Sequence, residues 1–308
     1  MSLNLEAVVK LLKMSAKEGA TELHFKVPSR PLLRVNGGLV PTRLPAISPR
    51  DVQDAVYALC SLAKRELALA TLTDESFSFG LSGVGRFRAY IYRQRGSLSA
   101  VVQRVNTESP ALYELGIETG IERTLGEPGL MLLCGDRRHE LLGALVGDYN
   151  ARIRGHAVII ESPLNYLYRD AVATIAQREV GTDVPDYATA ICQATRIGAD
   201  LLVVGEVEDA KTANALLTAV ELGISTVACV AAPSTAEAHW WIVRMFAGEA
   251  RLDTTRRLQS RTRAMVCVSA GQPVEIVQRP MKTHAPDQPT ATQAQQDETP
   301  HVSSVSHL

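Results

Sequence analysis

Gly129-Leu-Met-Leu-Leu-Cys-Gly-Asp-Arg-Arg-His-Glu-Leu-Leu-Gly143 is the stretch that decides the fold class of this chain. Leu130 to Cys134 is a short unbroken apolar run, the pattern of a parallel strand buried on both faces. Gly135 follows directly, and Leu141, Leu142, Leu145 and Val146 then recur at helical spacing. Strand, glycine and helix form the context of a phosphate-binding loop. Such a loop also needs further glycines, a lysine for the β/γ-phosphates and a Ser/Thr hydroxyl for Mg²⁺. This turn reads Asp136-Arg-Arg-His-Glu140 instead, and no lysine occurs between Lys64 and Lys211. Asp136 and Glu140 would repel a phosphate, whereas Arg137 and Arg138 could grip one bidentately. The plainer reading is a solvated helix start of mixed charge.

Outward from this stretch the chain alternates strand and helix. Strands are expected at 130–134, 157–161, 201–205 and 225–230, with helices near 139–149, 186–197, 209–222 and 235–246. Alternation of this kind implies a mainly parallel sheet with helices on both faces. Ligands of such sheets bind outside the carboxyl ends of the strands, where Gly135, Glu161 and Glu206 all fall.

Upstream the pattern differs. Leu5, Val8, Val9, Leu12 and Ala16 mark one face of an opening helix that Gly19 ends. A strand around Leu23–Lys26 precedes two more that flank Asn36-Gly-Gly38, a hairpin signal because Asn and Gly tolerate positive φ. Ser48-Pro-Arg-Asp51 has the residues of a helix start: a cap, a proline at the first position and an acid in the first turn. Segments 76–79, 86–92 and 98–105 read as strands of one antiparallel sheet. The expected division is therefore an α+β module over 1–106, a linker over 107–128, an α/β module over 129–279 and a disordered tail over 280–308, where apolar residues are few.

Bulk properties narrow the function. The 308 residues suffice for two ordinary domains, and 46% hydrophobic with 21% charged content is that of a globular protein. A net charge of −1 gives no electrostatic footprint for nucleic acid. The five cysteines show neither metal-ligand spacing nor a disulfide framework. His24, His139, His156 and His239 also lack ligand spacing and read as structural or surface residues, so no metal site is expected. No signal-peptide pattern or bilayer-length apolar run is present, which gives a cytoplasmic expectation.

Several local motifs then resemble the pilus-retraction ATPases (PilT/PilU type) of the secretion-traffic ATPase family. Residues 10–24, from Lys10 through Gly19-Ala-Thr-Glu-Leu-His24, are similar to the family's opening helix and "SDLH" strand. Pro31-Leu-Leu-Arg-Val-Asn-Gly37 resembles the hairpin that follows. Arg86-Phe-Arg-Ala-Tyr-Ile-Tyr-Arg-Gln-Arg-Gly96 resembles the arginine-rich strand. Gln177-Arg-Glu-Val-Gly181 matches "QREVG", and Asp200-Leu-Leu-Val-Val-Gly-Glu-Val-Glu-Asp209 matches the Walker B strand. The resemblance implies a small sensory-type (PAS-like) α+β N-terminal domain and a RecA-like C-terminal domain of the P-loop NTPase fold. It also implies a hexameric ring, built from this chain or shared with an active pilus ATPase. That ring would be cytoplasmic and peripheral at the base of a type IV pilus, touching the inner-membrane platform indirectly.

Departures from the family fall on the catalytic parts. "GxTGSGKST" is replaced by Gly135-Asp-Arg-Arg-His-Glu140. The acidic box "IEDPIE" reads Ile160-Glu-Ser-Pro-Leu-Asn165. The histidine box "GTLHT" reads Ala228-Cys-Val-Ala-Ala232, and the arginine of the next helix aligns with Trp241. The terminal helices of the retraction motor have no counterpart before the tail. Glu206 and Glu161 are the catalytic candidates if activity survives. Gly135, Arg137, Arg138, Arg86 and Arg88 are the nucleotide-binding candidates, with an interdomain role for the Arg86–Arg88 strand as the other reading. ATP and Mg²⁺ enter only if the altered loop still binds; otherwise no cofactor is expected. The expected function is a hydrolysis-deficient ring subunit, regulator or adaptor of a pilus motor. Its alternatives are a weak ATPase with a non-standard loop or a sensor of another anionic ligand. Of Trp240 and Trp241, adjacent on a helix, one is expected to pack inward and the other to face out.

Overall fold

A computed structural model describes residues 3–118 and 120–278; the tail expected over 280–308 lies outside these residues. Two sheets divide the molecule. The first has six strands, β1 (Glu22–Phe25), β2 (Leu32–Val35), β3 (Gly38–Pro41), β4 (Asp74–Leu81), β5 (Gly85–Gln94) and β6 (Ser97–Arg104). Their order is β3-β2-β1-β6-β5-β4, and every pairing is antiparallel. Asn36 and Gly37, at φ 48° and 80°, make the β2–β3 turn that the sequence calls for.

Helices α1 (Leu5–Lys17) and α2 (Pro49–Leu62) cover the inner face of this sheet. The Ser48 side chain accepts from the Asp51 backbone N–H while Asp51 accepts from the Ser48 N–H, closing a reciprocal cap ahead of Pro49. The buried face of α1 is Val8, Leu11, Leu12 and Ser15. It is rotated from the expected stripe, and Leu5 is largely exposed. Ser15 can be buried because its hydroxyl donates to the Leu12 carbonyl, 2.8 Å away.

The second sheet runs β13-β12-β7-β11-β10-β8-β9. Its strands are β7 (Gly129–Cys134), β8 (His156–Glu161), β9 (Thr174–Glu179), β10 (Leu201–Val204), β11 (Ser225–Cys229), β12 (Thr262–Cys267) and β13 (Glu275–Gln278). All pairs are parallel except β12 with the edge strand β13. α3 (Arg138–Arg152) packs on one face together with two 3-10 turns, Leu112–Leu115 and Gly120–Gly126. α4 (Tyr187–Arg196), α5 (Ala210–Glu221), α6 (Thr235–Val243) and α7 (Gly248–Arg261) pack on the other. Every residue of β7 is buried, at roughly 1.5–3 kcal/mol for each large apolar side chain, so the loop after it hangs from a firmly anchored strand. Mixed α/β architecture is thus as expected, but β9, β12, β13 and α7 are elements that the pattern reading does not pick out. β9 and α7 are rich in polar and charged residues (Thr174-Ile-Ala-Gln-Arg-Glu179 and six polar or charged residues among Arg251–Arg257), so neither has a clean period.

Candidate functional site

At the carboxyl edge of the second sheet, Gly135 turns the chain at φ 89°. Its N–H donates to the Ala232 carbonyl at 2.9 Å, and the Arg137 N–H donates to the Val268 carbonyl at 3.1 Å. Asp136 accepts from the Ala270 N–H at 3.0 Å. A Cβ placed on Gly135 would lie 2.2 Å from the Val268 carbonyl oxygen. The loop is therefore stitched to the segments after β11 and β12 by the same N–H groups that a phosphate cradle would need free.

α3 begins with no side-chain cap. Arg138, at its first position, folds over the turn. Its Nε and Nη2 donate to Glu206 Oε2 at 3.0 and 2.9 Å, and its Nη1 donates to the Gly135 carbonyl at 3.2 Å. Glu206 thus sets a carboxylate near the positive end of α3, which favours negative charge there. Burial still raises the Glu206 pKa, with Arg138 opposing the shift. Its Oε1 is buried without a partner, and so is Nδ1 of neighbouring His139. Burial, then the Arg138 charge, lowers the His139 pKa to about 4. Arg137 turns aside to Glu140, 2.6 Å away.

Glu161, ending β8, is 4% exposed. Asn165 holds both of its oxygens, from Nδ2 at 2.8 Å and from the backbone N–H at 3.3 Å. Burial raises its pKa to about 7, and Glu179, its register partner on β9, adds to the effect. Gly205 keeps the end of β10 close, since a Cβ there would stand 3.0 Å from Glu161 Cγ.

Glu179 is the residue that the sequence reading quotes in a motif but assigns no task. It is 5% exposed, accepts from Ser78 Oγ at 2.6 Å and pairs with Arg86. Arg86 thus crosses from the first sheet to the second and stands on Glu179, away from the loop. Arg88 stacks over the Tyr90 ring, 4.7 Å from its centroid. The seven candidates accordingly divide. Gly135, Arg138 and Glu206 come together, Glu161 lies beside Gly205, Arg137 faces Glu140, and Arg86 and Arg88 line the seam between the sheets. Trp241 packs on the core while Trp240 is 49% exposed, and Arg244 lies 3.6 Å from the Trp241 ring centroid.

No family profile matches the chain. The type IV pilus ATPase PilU of Pseudomonas aeruginosa is 27% identical over 241 residues, 77% of this chain and 63% of PilU. The retraction ATPase PilT of the same organism is 28% identical over 246 residues, 79% of this chain and 71% of PilT. A crystal structure of the pilus retraction motor PilT with bound ADP superposes with a TM-score of 0.77 at 24% identity, covering 89% of this chain and 83% of that one. These similarities support a place for the chain among the secretion-traffic ATPases, and the PilT fold is shared. The chain spans a little under two thirds of PilU.

In this chain the groups around the loop after β7 already have protein partners. Gly135 and Arg137 have spent their N–H groups, Arg138 is held by Glu206, and the loop offers no lysine or hydroxyl for phosphate and Mg²⁺. Among the described residues no helix is long and apolar enough to cross a membrane.

Proposed function

We propose that this chain is a hydrolysis-deficient relative of the pilus-retraction motors. It serves as an inactive ring subunit, or as a regulator or adaptor, of an active pilus ATPase, at the cytoplasmic base of a type IV pilus. The observation that carries this reading is the closed loop after β7. Gly135 and Arg137 donate to Ala232 and Val268, and the Arg138–Glu206 pair sits at the start of α3. Phosphoryl transfer depends on positioning and neutralising charge. A site whose N–H groups and guanidinium are already committed to protein acceptors supplies neither. The changed acidic and histidine boxes point the same way, because Ser162, Asn165 and Ala231 replace groups that the family's chemistry uses.

Titrating the purified chain with a fluorescent ATP analogue should give no saturable binding below millimolar concentration, and its ATPase rate should equal that of the Glu206→Gln variant. Affinity capture from cells, read by mass spectrometry, should recover a pilus ATPase. An ATPase rate that Glu206→Gln abolishes overturns the reading and makes the chain a weak motor in its own right.

A further inference from the structure

The sequence holds two tryptophans, and both lie in one cluster at the end of α6. The helix and its cap turn Ala236, Glu237, Trp240 and Arg244 outward. The Arg244 guanidinium lies 5.3 Å from the Trp240 ring centroid and 3.6 Å from that of Trp241, and the two rings stand 6.3 Å apart at 66°. Arg244 forms no ion pair among the described residues. Glu237, the acid on the same face of α6, lies two turns back and accepts instead from Ser234 Oγ. An exposed indole beside an uncompensated cation has the chemistry of surfaces that take proline-rich segments.

The place where the described chain ends points to the occupant. β13 runs alongside α6, and Glu275, its first residue, accepts from the Thr235 N–H at 3.0 Å. Gln278, its last, is the register partner of Ala264 on β12. Two residues earlier on β12, Thr262 bonds His239, the neighbour of Trp240, at 2.9 Å. The chain therefore leaves β13 close to Trp240. It continues Arg279-Pro-Met-Lys-Thr-His-Ala-Pro-Asp-Gln-Pro289, which places a Pro-x-x-Pro spacing at 286–289 with an acid inside it. Pro286 is eight positions past Gln278. At about 3.1 Å per residue that spans roughly 25 Å, enough to cross a helix about 10–12 Å wide.

We propose that Pro286-Asp-Gln-Pro289 of the same chain docks on this face of α6, its prolines against the Trp240 ring and the Asp287 carboxylate on Arg244. Prolines lose little freedom on binding, and the acid supplies the charge that Arg244 lacks. A tether this short gives an effective concentration on the order of millimolar, so a contact of only about 100 μM in trans is mostly closed in cis. A partner that binds α6 then has to displace the segment first.

Because both indoles belong to the cluster, tryptophan fluorescence reads the site directly. In the full chain, Pro286→Ser combined with Pro289→Ser should shift emission to the red and increase quenching by acrylamide, with the thermal midpoint unchanged. A synthetic peptide of residues 280–292 should restore the parent emission of that double variant saturably. Asp287→Asn in the peptide should weaken its binding about two- to fivefold, the size of an exposed ion pair. Adding Trp240→Ala to the double variant should weaken peptide binding, read by calorimetry, by more than about tenfold. Emission and quenching equal in parent and double variant overturn the proposal, and so does peptide binding that Trp240→Ala leaves intact. Parent emission that shifts to the red on dilution, with a matching fall in sedimentation coefficient, also overturns it and assigns the face to a second copy.

Discussion

At the scale of single residues, ionisable groups at the replaced motifs respond to pH in opposite directions. Glu161 has a folded pKa raised to about 7 by burial, against an ordinary carboxylate value in the unfolded chain. Between about pH 4.5 and 7 the folded state therefore holds a proton that the unfolded state has lost, and stability falls as pH rises. The full effect is on the order of 3 kcal/mol. His139 works the other way. Its pKa is lowered to about 4, so the unfolded state binds the extra proton between about pH 4 and 6.5 and stability rises with pH there. With its ring 37% exposed, His139 is screened by water and contributes less. Urea unfolding across this range should thus show a net loss of stability toward pH 7. The Glu161→Gln variant should make that slope shallower. A variant slope equal to that of the parent would show that Glu161 ionises normally.

At the scale of elements, the decisive contact is the turn between β7 and α3. Gly135 combines positive φ with a backbone oxygen where a side chain would begin. Gly135→Ala should cost at least about 2 kcal/mol, from strained φ and from overpacking together. Gly198, following α4, has φ 71° with open space around it, so Gly198→Ala should cost only about 1 kcal/mol. Denaturant midpoints of the two variants test how tightly the loop is sewn, and equal losses would mean it has slack. Elements with a clean period were legible beforehand: β7, β8, β10 and β11 by unbroken apolar runs, α2 by its cap. α1 was legible as a helix but misjudged in phase, because a serine that bonds its own backbone took a buried position. β9 has no strand pattern because four of the six residues in Thr174-Ile-Ala-Gln-Arg-Glu179 are polar or charged; it is held by in-register pairing to β8.

At the scale of the whole molecule, the Arg86–Glu179 pair with Ser78 is the polar clasp between the two sheets. Breaking a buried pair from one side leaves the other charge uncompensated, typically at about 3–5 kcal/mol. Arg86→Ala should therefore loosen the modules from one another. Calorimetry should resolve one unfolding transition of the parent into two, and proteolysis should become faster within residues 107–128. A single unshifted transition would show that apolar contact alone holds the modules together. The nucleotide task considered for Arg86 and Arg88 gains no support from this placement, since one guanidinium is paired and the other is stacked on Tyr90.

Taken alone, the sequence determined the α/β class, the position of the loop at a strand end and the family resemblance. Each of these rests on local periodicity or on a contiguous motif. It also showed which residue types the loop lacks. Tertiary structure decided what the remaining polar groups do. That Arg138 grips Glu206, 68 positions away, that Gly135 donates to Ala232, and that Glu179 answers Arg86 are consequences of strand order. Parallel pairing brings distant strand ends to one edge, and there hydrogen-bond geometry, which no linear pattern encodes, selects the partners.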